Sequence, residues 1–132
     1  MNGYLLVTSI VIDFLRRKDK ENTLFYQLSK EDIYVSIITH TELYAGKSVW
    51  EKDHAREELE TVFSGLTILP LEEEVSKKAG YIKSRHPEMS LLDAIIAASA
   101  HFHELELVTL DIKGFAQISG IKLYRSTSLA QA

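Results

Sequence analysis

Cysteine is absent, proline occurs twice and glycine six times. Without cysteine there can be no disulfide, no zinc–thiolate site and no thiol nucleophile, and the composition suits a reducing compartment. Long hydrophobic runs are missing as well. None approaches the roughly 20 residues needed to cross a bilayer, so no membrane association is expected. No basic leader with a cleavage signal stands before Tyr4-Leu5-Leu6-Val7, which makes the cytoplasm the expected location. Nor is there an excess of positive charge. A formal net charge of −4 argues against a general basic surface for nucleic acid, although a metal pocket can gather acids and invert the local field. Gly-x-Gly-x-x-Gly, Walker and Gly-x-Ser-x-Gly patterns do not occur, which disfavours nucleotide cofactors and serine hydrolysis.

What is present is a chain of 132 residues, 45% hydrophobic and 26% charged, with the composition of an ordinary globular protein. One domain over residues 1–132 is expected, without repeats or linkers. Tyr4–Val7 reads as a strand and Ser9 as the cap of a helix to about Lys18, followed by a helix from Asp19 to Ser29. Ile33–Ile38 is rich in β-branched residues and predicts a buried strand. Thr39 then opens a helix carrying Glu42 and ending near Gly46, and a longer amphipathic segment runs from Trp50 to Ser64. "TILPL" gives a short strand, Glu72–Arg85 a charged helix, and "SLLDAIIAASAHF" the most apolar helix. "LELVTL", a short helix containing Asp111–Gln117, and "IKLY" complete the series. Strand and helix alternate throughout, which predicts an α/β fold: a central parallel sheet with helices on both faces.

Parallel sheets bind ligands beyond the carboxyl ends of their strands, so acids just after strands are the candidates for a site. Glu42 follows the second strand by four residues and Asp111 follows "LELVTL". Asp93 lies in the first turn of the apolar helix. Each has a structural alternative. Thr39-His40-Thr41-Glu42 and Ser90-Leu91-Leu92-Asp93 fit capping boxes, and Asp111 suits a helix cap. Asp93, set among Leu91, Leu92, Ile95 and Ile96, resists that alternative best, because a buried carboxylate needs a partner or a metal. Three converging carboxylates suit Mg²⁺ or Mn²⁺. The five histidines, His40, His54, His86, His101 and His103, lack metal spacing. Asp13 suits solvent or a neighbouring cation, and Arg16, Arg17, Lys18 and Lys20 suit a helix C-terminus.

Taken in order, "YLLVTSIVIDFL", "SIITHTELYAG", "SLLDAIIAASAHFHELELVTLDIKGF" and "GIKLY" resemble the PIN-domain ribonucleases, in particular the VapC-type toxins of toxin–antitoxin pairs. The likeness runs from about Tyr4 to Tyr124. It implies an α/β sandwich with four acidic positions around a metal pocket. Glu42, Asp93 and Asp111 match three of them as metal-holding, catalytic acids, while Ser9 and Thr109 match supporting positions. The fourth acid should close the first strand, where this chain has Val7-Thr8-Ser9.

The resemblance further implies Mg²⁺- or Mn²⁺-assisted hydrolysis of RNA, a homodimer, and a cognate antitoxin that blocks the pocket. Valine offers no oxygen to a hard cation, so the expectation is an intact fold with nuclease activity weakened or lost. A catalytically silent PIN-fold interaction module is the alternative. A phospho-acceptor receiver or phosphatase is a third reading, set back by the lack of an acid at the end of the first strand.

Overall fold

The computed structural model describes residues 3–125. Strand β1 (Gly3–Leu6) leads into α1 (Thr8–Arg16), whose cap position is Val7, not Ser9. Val7 has no side-chain acceptor, so this helix starts without a side-chain cap hydrogen bond. Asp13 pairs with Arg17 four residues on, at 3.5 Å. Lys20 closes the other end by donating from Nζ to the carbonyls of Phe14 and Leu15. The basic cluster thus includes a side chain that satisfies the helix's last carbonyls.

The helix expected from Asp19 to Ser29 is two shorter pieces, a 3-10 turn at Lys20–Asn22 and α2 (Leu24–Gln27). Thr23 interrupts them because its hydroxyl accepts from the Tyr26 amide and starts a new helix. Strand β2 (Asp32–Ser36) stops two residues before the β-branched run does. Ser36 accepts from the Ile38 amide and turns Ile37 and Ile38 into the first turn of α3 (Ile37–Tyr44). The Thr39–Glu42 capping box is therefore absent, and Glu42 lies in the second turn. The segment from Trp50 to Ser64 also breaks at the extended Lys52, giving α4 (Lys47–Glu51) and α5 (Asp53–Ser64).

Strand β3 (Thr67–Leu69), α6 (Glu73–Arg85), α7 (Leu91–Phe102), β4 (Glu106–Val108), α8 (Ile112–Ala116) and β5 (Lys122–Leu123) follow. Ser90 does cap α7, accepting from the Asp93 amide at 3.1 Å.

The strands form one parallel sheet in the order β3-β2-β1-β4-β5. The chain works outward from β1 to β3, then returns across the sheet to β4. Crossovers between parallel strands are right-handed as a rule, so moving across the sheet in both directions places helices on both faces, as expected. The reversal puts β1 beside β4 at the centre, where the carboxyl ends of two strands splay toward different helices. Leu5, Leu6, Val35, Leu107 and Val108 are fully buried in these strands. Ala94 to Ala100 are buried all along α7, and small alanines let that helix lie close to its neighbours. Ser99 satisfies its buried hydroxyl by donating to the Ile95 carbonyl. Each large core side chain contributes about 1.5–3 kcal/mol through burial. No helix among the described residues is long and apolar enough to cross a membrane.

Candidate active site at the carboxyl edge of the sheet

Position 7 lies at the centre of the edge. The Val7 amide donates to the Val108 carbonyl at 3.1 Å, so the backbone ties the ends of β1 and β4 together. The side chain is 5% exposed and belongs to the hydrophobic core. Its neighbour Thr8 reaches α3: the Thr8 hydroxyl lies 2.6 Å from Glu42 Oε1, to which it donates, and 3.0 Å from the hydroxyl of the fully buried Thr39. Two threonines from separate elements thus support the half-buried Glu42 carboxylate.

Asp111 is built by its own turn. Its amide donates to the buried Thr109 hydroxyl at 2.9 Å, and its Oδ1 accepts from the Gly114 amide at 3.0 Å. A β-carbon at residue 114 would run into the Asp111 carboxylate, so glycine is needed for that close approach. Asp111 is thus a helix cap, as its bland reading had it, and the cap also fixes where its carboxylate stands.

Asp93 is half-buried near the start of α7. Burial pushes its carboxyl above the usual carboxylate range, and the charges of Glu42 and Asp111 push it the same way, against a hydrogen bond with the Ser90 side chain. Acids from α3, α7 and the β4–α8 turn thus share one electrostatic neighbourhood. They do not share one coordination point: among the described residues, no three acid or histidine side chains stand close enough to hold a metal ion. The oxygen chemistry suits a divalent cation, but the residues present do not complete a site for one. Glu42 is drawn toward Thr8, Asp111 toward Gly114, and the central strand end supplies a valine.

Ser9 is exposed and its side chain makes no hydrogen bond among the described residues. The hydroxyl that bonds Glu42 is that of Thr8. The signal was there, since Thr8 follows the strand directly. The histidines lie elsewhere. His40 packs at a tilt against Tyr44 and Phe63, His101 meets the Gly120 carbonyl, and His103 lies 3.8 Å from Glu72. A cavity of about 540 Å³ at the opposite, amino edge is lined by Asp32, Tyr34 and His103 and by none of the three acids. Glu42 instead borders a groove of about 380 Å³ between α1, α3, α4 and α5, with Ile12, Leu15, Val49 and Leu59 as its apolar walls.

The family model described as PIN domain matches residues 4–121. The chain belongs to the PIN-domain family. Its place among the family's VapC-type toxins is marked by Toxin FitB of Neisseria gonorrhoeae, which is 32% identical over 84% of this chain and 89% of FitB. A toxin–antitoxin complex from Klebsiella pneumoniae superposes with a TM-score of 0.71 at 28% identity, covering 93% of this chain and 99% of that one. VapBC2 from Rickettsia felis, solved with a DNA fragment from its promoter, shares the fold with a TM-score of 0.77 at 23% identity, covering 92% and 97%. VapC-type PIN toxins are nucleases, and PIN nucleases generally use a divalent metal ion.

Proposed function

We propose that this PIN-domain protein is the toxin of a type II toxin–antitoxin pair, built as a cytoplasmic endoribonuclease and weakened or silenced by Val7. The observation that carries this reading is the shared field of Glu42, Asp93 and Asp111 around a strand end that has no oxygen to add. Glu42, Asp93 and Asp111 are the residues that would share a Mg²⁺ or Mn²⁺ ion once the strand end adds an oxygen, and such an ion would supply water activation and charge neutralisation.

This chain's residues supply the frame. Thr8 orients Glu42, Ser90 sets the start of α7 and so the place of Asp93, and Thr109 with Gly114 fixes Asp111. Ser9 stays in the proposal only as a solvent-facing neighbour. An antitoxin partner is supported by the relatives solved as toxin–antitoxin complexes. The groove that Glu42 borders, apolar along Ile12, Leu15 and Leu59, suits an apolar antitoxin segment carrying a basic side chain. A homodimer belongs to the same family reading.

Val7→Asp tests the proposal. With Mg²⁺ added, the aspartate form is expected to cleave RNA at least about a hundredfold faster than the Val7 chain, the range removed with one strong electrostatic group at an active site. Equal rates would refute the assignment of position 7. The second reading, a PIN-fold module that holds a partner without cleaving RNA, draws on the incomplete metal set and predicts no cleavage by either form.

A further inference from the structure

Helix α6, which carries none of the three acids, bears a second arrangement that the nuclease reading does not use. From Val75 to Arg85 the chain has four cations, Lys77, Lys78, Lys83 and Arg85, and no acid, although the whole protein is negative. Lys83 is committed to structure, donating from Nζ to the carbonyls of Pro87 and Met89, each at 2.6 Å. Lys78 and Arg85 are not. Neither has an ion-pair partner among the described residues, and each holds its charge 5.4 Å from the ring centre of Tyr81. The spacing i, i+3 and i+7 puts all three on one stripe of the helix. Tyr81 is nevertheless 55% exposed, far more than ring packing alone would require.

These side chains line a cavity of about 390 Å³ together with His86, His101 and Gln117. Among the described residues His86 alone of this lining has an acid beside it, Glu88 at 3.9 Å, while Glu74, one turn before Lys78 on α6, forms no ion pair with it. Dipole compensation accounts for Lys83 and Arg85 in the last turn, but not for a cation in the middle of the helix or for an exposed aromatic between two unpaired charges. Two fixed cations flanking an open aromatic face match single-stranded nucleic acid, which offers phosphates at intervals and a base to stack. The α6–α7 turn, pinned by Lys83, places the end of this stripe next to the helix that carries Asp93.

We propose that Lys78, Tyr81 and Arg85 form a secondary binding site for single-stranded RNA, the cations taking backbone phosphates and Tyr81 stacking on a base. The site holds the strand one helical hairpin away from the acids. This rests on RNA being the substrate, as proposed above.

The test is fluorescence anisotropy with a labelled single-stranded RNA and the full Val7 chain in EDTA, over a salt series. Lys78→Gln/Arg85→Gln is expected to weaken binding about tenfold or more and to flatten the salt slope by about 1.4, two contacts at about 0.7 each. Tyr81→Ala is expected to weaken binding roughly fivefold or more with the slope unchanged, since stacking carries no counterion release. Circular dichroism confirms that each variant is folded. Lys47→Gln/Lys52→Gln, elsewhere on the surface, is expected to bind as the parent does. No RNA binding by the parent, an unchanged slope in the glutamine pair, or an equal loss in the control pair would each overturn the site. Cleavage by Val7→Asp separates the two ideas. Cleavage with no patch effect removes this site alone, and patch-dependent binding without cleavage removes the nuclease alone.

Discussion

The junctions after β1 and β4 are neighbours in the sheet, joined by the Val7–Val108 backbone bond, yet they are built in opposite ways. After β4, side chains do the work: Thr109 receives the Asp111 amide and Asp111 receives the Gly114 amide. After β1, the cap position is a buried valine, backbone atoms close the turn, and the Thr8 side chain reaches away to α3 and leaves the cap unfilled. One junction is polar and self-supporting, the other apolar and held by the core. An acid can be absent after β1 without unravelling the edge, whereas Asp111 cannot be removed without also removing a helix cap. Fold and chemistry are coupled at β4 and separable at β1.

Asp93 is the sharpest probe of that contrast, because it feels the charges on both sides of it. In the Val7→Asp background, Asp93→Asn is expected to lower RNA cleavage by about a hundredfold or more, measured as initial rates with Mg²⁺. In the Val7 chain the same change is expected to raise the melting temperature at pH 7. The sign follows from the raised carboxyl: the folded protein prefers the protonated form more than the unfolded chain does. Its stability contribution is full below the unfolded carboxylate's pKa and is lost as pH rises through the folded one. Asparagine removes that loss, so the gain seen by thermal melts should vanish under acid conditions. A gain that persists at low pH would mean that packing, not charge, is responsible.

A smaller effect is expected at Gly114. Gly114→Ala sets a methyl against the Asp111 carboxylate, and losing the cap should cost about 1 kcal/mol in urea unfolding. Unchanged stability would show that the β4 junction is less dependent on its side chains than its hydrogen bonds indicate. The smallest shift belongs to the β1 side. Thr8→Val removes the donor to Glu42 and should cost about 0.5 kcal/mol, the low end for a hydrogen bond, because Glu42 is only half-buried and water can replace the hydroxyl. A loss larger than that of Gly114→Ala would reverse the comparison between the junctions.

The sequence made the alternation of strand and helix readable, and with it the parallel sheet, because β-branched runs and helical periodicities are local signals. Glu42, Asp93 and Asp111 were readable for the same reason, each standing close after a strand or at a helix start. Ile37 and Ile38 misled, since their strand preference yields to Ser36, whose hydroxyl starts a helix there. The choice between Thr8 and Ser9 was not local at all. Both hydroxyls follow the same strand, and only the approach of α3, with Thr39 and Glu42, selects Thr8. The incomplete convergence of the acids was hidden likewise, because proximity in a field and proximity at a point look identical in one dimension.

The amide of residue 7 is held by the backbone of β4, and only a twentieth of that residue meets solvent. A partner that recognises this protein by its outer shape would find almost nothing at that position to read. On the proposed function, a valine copy and an aspartate copy would then be indistinguishable to it, and the valine copy would draw off the partner that its twin binds.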